Sequence, residues 1–263
     1  MFPTPDIHPS PAEADARSLR QAFAPTGVLR AAINVGNPVL AARDDGPVGA
    51  RGFSVDLAHA FAQGLGLPLA LVVVDKAVES VAAVGEGRAD IGFFAVDPAR
   101  AATIAFTAPY VLIEGCYAVR DASPIRALDE VDHPGVRVAV AQGSAYDLHL
   151  GRALRHATLH RAPTAPEAFA LYLERSLEVA AGVRQQLESD LRAHPGHRLL
   201  DGRFMVIRQA MGVARGRGPA AAAALAAFVE AAKADGSVAA ALARHGIEGA
   251  AVAPAGDGGG LTG

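Results

Sequence analysis

The chain has 263 residues, 51% of them apolar and 19% charged, with a formal net charge of −3. That is core enough for one large or two small domains. The arginines are scattered and form no basic stripe, which argues against nucleic acid as a partner. The single cysteine, Cys116, excludes an intrachain disulfide or a cysteine metal cluster.

The N-terminus, MFPTPDIHPSPAEADARSLRQ, lacks the basic and apolar regions of a signal peptide. No apolar run is long enough to cross a membrane. As written, the chain reads as cytoplasmic and not membrane-embedded; with a leader removed, it reads as periplasmic. Residues 1–26 read as an N-terminal extension that can hold a helix.

Strand and helix signals then alternate, which argues for α/β layers around parallel sheets. VLRAAINV (28–35) is a predicted strand. FSVDLAHAFAQGLGL (53–67) puts Phe53, Leu57, Ala60, Phe61 and Leu65 on one helical face, with Gly64 and Gly66 ending it. LALVVV (69–74) is a buried strand, a weaker helix carries Val78, Val81 and Val84, and DIGFFAV (90–96) is the next strand. VLIEGCYAV (111–119) reads as a buried strand. Its Cys116 is an inert core thiol unless an activating base stands beside it. VRVAV (136–140), ATLHRA (157–162) and LEVAAGV (177–183) are strands, separated by helices over 143–154 and 164–175. The order β-α-β-α-β thus occurs twice. EGRADIGFFAV and LERSLEVAAGV echo each other too weakly to define a repeat. FMVIRQAMGVAR (204–215) is a long strand, followed by helices in GPAAAAALAAFVEAAKA and GSVAAALARHGI that suit a return to the first half. The tail, 249–263, has the composition of a disordered segment.

One stretch raises a chemical question. DPARAATIAFTAPY (97–110) sets Arg100 at the mouth of a strand, with Asp97 its only acidic neighbour. Asp97 reads first as an N-cap, with Pro98 at the first helical position. Elsewhere His156 and His160 fall on an alternating segment, the nine histidines show no zinc spacing, and no P-loop or dinucleotide fingerprint occurs. Neither metal nor cofactor is expected.

GFSVDLAHAFAQGLGLPLALVVVD, GRADIGFFAVDPARAATIAFTAPYVLIEGCYAV, VRVAVAQGSAYDLHL and AFVEAAKADGSVAAALARHGI, in that order and spacing, resemble the bacterial extracellular solute-binding proteins of family 3. These are the polar amino-acid receptors of ABC transporters, and the resemblance covers about residues 27–248. It implies a type II periplasmic-binding-protein fold: two α/β lobes, each a mostly parallel sheet flanked by helices, joined by two crossing strands. Residues 27–118 plus 206–248 would form one lobe and 119–205 the other, with hinges near Tyr117–Arg120 and Gly202–Arg208. A small carboxylate ligand would lie between the lobes of a monomer, and an ABC permease would be the partner.

By the same resemblance, Arg100 would grip the ligand carboxylate; a planar guanidinium matches two carboxylate oxygens. Gly143, Ser144 and Ala145, with Tyr146 next, would face it from a helix start, where free N–H groups favour an anion. Ser144 reads equally as an N-cap. The sequence departs from the family at three places. Asn34 and Asn37 stand where aromatics are usual, leaving Phe93 as ring donor or core residue. Serines before the arginine are replaced by Gly92, Phe93, Phe94 and Ala95, leaving Asp97 as the only acceptor there. The aspartate that holds the ligand ammonium is missing, and Arg184 either faces the cleft or sits on an exposed helix.

Gln209 and Glu114 fall on the crossing strands as cleft-floor candidates. Burial would raise the Glu114 pKa and make it a proton donor or base; the other reading makes it a solvent-facing strand residue or pairs it with a nearby arginine. Two functions follow: a binding protein, or a lyase like the cyclohexadienyl dehydratases, in which Glu114 and Glu188 would be the catalytic candidates.

Overall fold

The computed structural model describes residues 11–256; residues 1–10 and 257–263, the outer parts of the expected extension and tail, lie outside the described residues. The chain begins with α1 (Pro11–Phe23), β1 (Leu29–Asn34) and a short hairpin of β2 (Ala42–Arg43) and β3 (Ala50–Arg51). Next come α2 (Phe53–Leu65), β4 (Leu69–Val74), α3 (Ala77–Gly85) and β5 (Ile91–Ala95). A 3-10 turn at Arg100–Ala102 leads into β6 (Ile104–Arg120), and another at Leu128–Val131 precedes β7 (Arg137–Ala141). Then follow α4 (Ala145–Ala153), β8 (Thr158–Ala162), α5 (Ala165–Glu174), β9 (Val179–Val183), α6 (Arg184–Ala193) and β10 (His197–Leu199). The chain closes with β11 (Met205–Ala214), α7 (Pro219–Ala234), α8 (Ser237–Arg244) and β12 (Ala251–Val252).

The faint echo in the sequence corresponds to a repeated topology. In β1-α2-β4-α3-β5 the first strand lies between the other two, all parallel. In β7-α4-β8-α5-β9 the first strand again lies between the other two, all parallel. The two lobes share the long antiparallel strands β11 and β6, giving the order β4-β1-β5-β11-β6-β9-β7-β8. β6 pairs with β11 up to Gly115, then with β9 from Gly115 to Ala118. The crossing is fastened by Tyr117 stacked on Phe204 at 4.3 Å.

Local chemistry accounts for these elements. β5 and β9 are buried at every residue, as strands covered on both faces must be. α2 buries Phe53, Leu57, Ala58 and Phe61 and stops at Gly66, whose φ of 65° is the left-handed C-cap that glycine takes without a Cβ penalty. Phe61 meets Phe23 of α1 edge-on at 4.9 Å and Phe228 of α7 at 5.0 Å, while α8 packs on α2. The two C-terminal helices thus return to the first lobe. No described helix is long and apolar enough to cross a membrane.

Three expectations change. The strand read as 111–119 starts at Ile104, because Ala105 and Phe106 already pair with β11. The helix expected at PARAA is only the turn Arg100–Ala102. The tail is ordered through its first part: β12 pairs with Val111 and Leu112, and the Ala253 amide donates to the Tyr110 carbonyl at 3.1 Å. Backbone pairing to an open edge of β6 orders this segment, which its small side chains do not signal.

Candidate ligand cleft

The parallel strands of both lobes end at one cavity. Asn34 ends β1, and Gly36 and Asn37 follow it; Asp75, Lys76 and Ala77 follow β4; Ala95 ends β5 and leads to Arg100. From the second lobe come Gln142, Ser144, Ala145 and Tyr146 after β7, Pro163 and Thr164 after β8, and Val183 and Gln186 at the end of β9. Ile207 and Gln209 of β11 complete the wall. Carboxyl ends of parallel strands are where open α/β sheets take ligands. α3, α4 and α5 begin at this wall, each with its first residue in the lining, and α6 starts beside Val183.

Arg100 is 7% exposed. Its Nη1 donates to the Ala95 carbonyl at 3.0 Å and its Nη2 to the Gly143 carbonyl of the other lobe at 2.8 Å. A guanidinium has five N–H donors, and these two bonds use one on each Nη. Burial lowers its pKa and nearby Asp97 opposes that; an arginine stays charged throughout.

A second link crosses between the lobes beside it. Asp97 accepts from Arg152 of α4 at 2.8 Å through one oxygen, and from the Ala99 amide at 2.9 Å through the other. The Asp97 carboxylate is thereby spent on capping and on the lobe contact, and it does not line the cavity.

Arg100, Ser144, Ala145, Tyr146, Asn34, Asn37, Phe93, Ala95 and Gln209 all line the cavity. Ser144 also N-caps α4, accepting from the Asp147 amide at 3.0 Å. Burial pushes the Tyr146 phenol up to about 12. Phe93 is both lining and core, edge-on to Tyr110 at 6.3 Å. Gly143 departs from expectation: its amide donates to Asp147 Oδ2 at 2.8 Å and its carbonyl accepts from Arg100, so it offers no free N–H to a ligand.

Arg184 departs too. Its Nε donates to Glu114 Oε2 at 2.6 Å and its Nη2 to the Gly202 carbonyl at 2.9 Å, so it turns to the hinge and away from the cavity. Arg203 holds the other oxygen of Glu114 at 2.6 Å. The hydrogen bond from Arg203, then that from Arg184, outweighs partial burial and lowers the Glu114 pKa. Of the readings of Glu114, pairing with an arginine is the one the structure bears out, and the proton donor with a raised pKa is not. Glu188, 3.9 Å from Arg184, also lies outside the cavity lining. Burial pushes the Cys116 thiol up to about 11.

Lys76, Asp75, Ser54, Gln142, Thr164 and Gln186 are polar lining residues that the sequence reading did not assign to the ligand. The rule that singled out Arg100, the position just past a parallel strand, applies equally to β4 and β8 and would have flagged DK (75–76) and PT (163–164). Gly36 is fixed by crowding: a Cβ there would collide with the Asp75 carbonyl.

The same fold occurs in solved structures. An ancestral amino acid-binding protein, AncCDT-1, described as a precursor of cyclohexadienyl dehydratase, matches with TM-score 0.73 and 19% identity over 86% of this chain and 98% of that one. The L-arginine-bound substrate-binding protein AbpA of an amino acid ABC transporter from Streptococcus pneumoniae matches with TM-score 0.73 and 17% identity, over 86% and 97%. A solute receptor for L-cysteine of Neisseria gonorrhoeae gives 0.72 and 21%, over 85% and 92%. No curated protein sequence matches. At these identities the structures establish the type II periplasmic-binding-protein fold. The family model of bacterial extracellular solute-binding proteins, family 3, matches residues 29–247, and the chain belongs to that family.

Proposed function

We propose that this protein is a solute-binding protein that closes its two lobes on a small carboxylate-bearing ligand, as the binding component of an ABC transporter or a relative of one. The observation that carries the reading is Arg100. A guanidinium so buried, lining a cavity and bonded to backbone carbonyls of both lobes, presents its remaining donors to the space between them. A carboxylate there also meets the start of α4, where amide donors and the helix dipole favour an anion. Binding and closure are coupled because the ligand contacts both lobes.

Glu114, held ionised by two arginines outside the cavity, supplies no proton to a bound ligand, which favours binding over lyase chemistry. The test is a thermal-shift screen with amino acids and organic acids, followed by recovery of the compound. A ligand at a hundredfold over its Kd should add about 2.7 kcal/mol. Arg100→Ala should weaken the hit by roughly 10- to 100-fold, the worth of a charge-assisted hydrogen bond, and Arg100→Lys should not restore it. Consumption of the compound would replace the receptor reading with an enzyme.

A further inference from the structure

The charges around the cavity say more about the ligand than its carboxylate. Arg100 and Lys76 bring two cations to the lining, and Asp75 is its one carboxylate. Asp75 is already compensated, since Arg43 Nη2 lies 2.7 and 2.8 Å from its two oxygens. The Lys76 ammonium lies 3.9 Å from Glu79 Oε1, beyond hydrogen-bond length. The other oxygen of Glu79 is taken by the backbone amides of Asp75 and Lys76, at 3.2 and 3.3 Å. Lys76 is thus in a long, half-exposed ion pair with Glu79, and its N–H donors remain open to a second anion.

Three of the uncharged oxygens of the cavity lining already accept a hydrogen bond. Asn34 Oδ1 accepts from the Gly36 amide at 3.0 Å, Ser144 Oγ from Asp147, and the Ala95 carbonyl from Arg100. An ammonium held here would face two cations and the positive ends of three helices, with no free carboxylate to offset them.

We infer that the preferred ligand is a small dianion, a dicarboxylate or a carboxylate bearing a second anionic group, and not a zwitterionic amino acid. Arg100 holds one anion and Lys76 the other. The inference rests on the reading of the cleft as a carboxylate site and adds to it the charge of the remainder of the ligand. Selection comes from both sides: a second anion gains Lys76, and an α-ammonium is repelled.

The experiment is isothermal titration calorimetry of the protein with dicarboxylates from malonate to adipate, L-aspartate, L-glutamate, and the monocarboxylates propionate and butyrate. The best dicarboxylate should bind at least about tenfold more tightly than either amino acid and either monocarboxylate. Lys76→Ala should narrow the dicarboxylate-to-monocarboxylate ratio by about tenfold, and Lys76→Glu should shift preference toward the amino acids. Lys76 is a half-exposed loop side chain, so these variants should melt with the parent. Tighter binding of an amino acid, with affinity still lost in Arg100→Ala, would overturn the dianion inference and leave the carboxylate site standing. An unchanged ratio in Lys76→Ala would remove Lys76 as the second anion's partner and the inference with it. Failure of every carboxylate to bind would overturn both.

Discussion

Asp132 gathers backbone amides on one carboxylate. Those of Ala157, His156 and Arg155 donate to it at 3.0, 2.7 and 2.9 Å, pinning the α4–β8 connection to the turn after Val131. These donors favour the ionised form, and the Ala157 and His156 amides lead in pulling its pKa down to about 2. An unfolded aspartate titrates near 3.9. A depressed folded-state pKa gives stability that is fully present above the unfolded value and lost as pH falls through the folded one. Asp132→Asn should therefore lower Tm by a constant amount from neutral pH down to about 5. The gap should then shrink between about pH 4 and pH 2 as the wild-type carboxylate takes up its proton. Parallel melts across that range decide it; a gap that stays constant down to pH 2 would show that charge on Asp132 is not what orders the connection.

At the scale of elements, one buried carboxylate joins three parts of the first lobe. Asp90, fully buried just before β5, accepts from the Arg30 amide at 2.8 Å and from the Arg30 guanidinium at 2.7 and 2.9 Å. It also pairs with Arg217, which itself holds the carbonyls of Ala22 and Phe23 at the end of α1. Asp90→Ala leaves two largely covered guanidinium groups without their anion, a loss of about 3 kcal/mol, or roughly 6–12 °C in Tm for a chain of this size. Arg43→Ala breaks the pair with Asp75, whose side chains are 61% and 54% exposed, and should shift stability by less than about 1 kcal/mol. A comparable loss in both variants, measured by urea unfolding, would sink the contrast. The elements that Asp90 joins were themselves legible. Apolar runs such as IGFFA and VAAGV and the apolar face of FSVDLAHAFAQGL announce strands and a helix through side-chain burial, which sequence period reports. Asp90 and β12 were not legible. The one depends on arginines 60 and 127 residues away, and the other on an edge of β6 that only the folded sheet creates. The cleft divides the same way: Arg100 stood out because it is a lone cation past a strand, and the same rule reaches Lys76 past β4, whereas the choice of Arg184 and Arg203 as partners of Glu114 depends on how the hinge segments meet.

For the whole molecule, a receptor that closes on its ligand would bring its two lobes together at Gly143. It sits in the turn before α4 with φ of 70°, and a Cβ built on it would lie 2.5 Å from Val78 Cγ1 at the start of α3 in the opposite lobe. The same residue gives its carbonyl to Arg100, and Arg152 reaches Asp97 nearby, so three interlobe contacts meet around one glycine. Gly143→Ala brings two penalties that can be separated. The left-handed backbone costs an L-residue about 1–2 kcal/mol whether the lobes are open or closed, which appears as a lower Tm. The methyl group against Val78 acts only when the lobes meet, where a Cβ 2.5 Å from Val78 Cγ1 forces the valine or the lobes to shift, and this appears as lost affinity. Ligand affinity should fall by about tenfold or more, and small-angle scattering with ligand should show a larger radius of gyration than the wild type. Adding Val78→Ala, at a side chain already 50% exposed, should restore most of the affinity and none of the Tm. If Gly143→Ala binds and contracts like the wild type, closure does not pass through this contact. If the double variant regains nothing, the loss lies in the bent backbone and its hold on Arg100, not in the approach of the lobes.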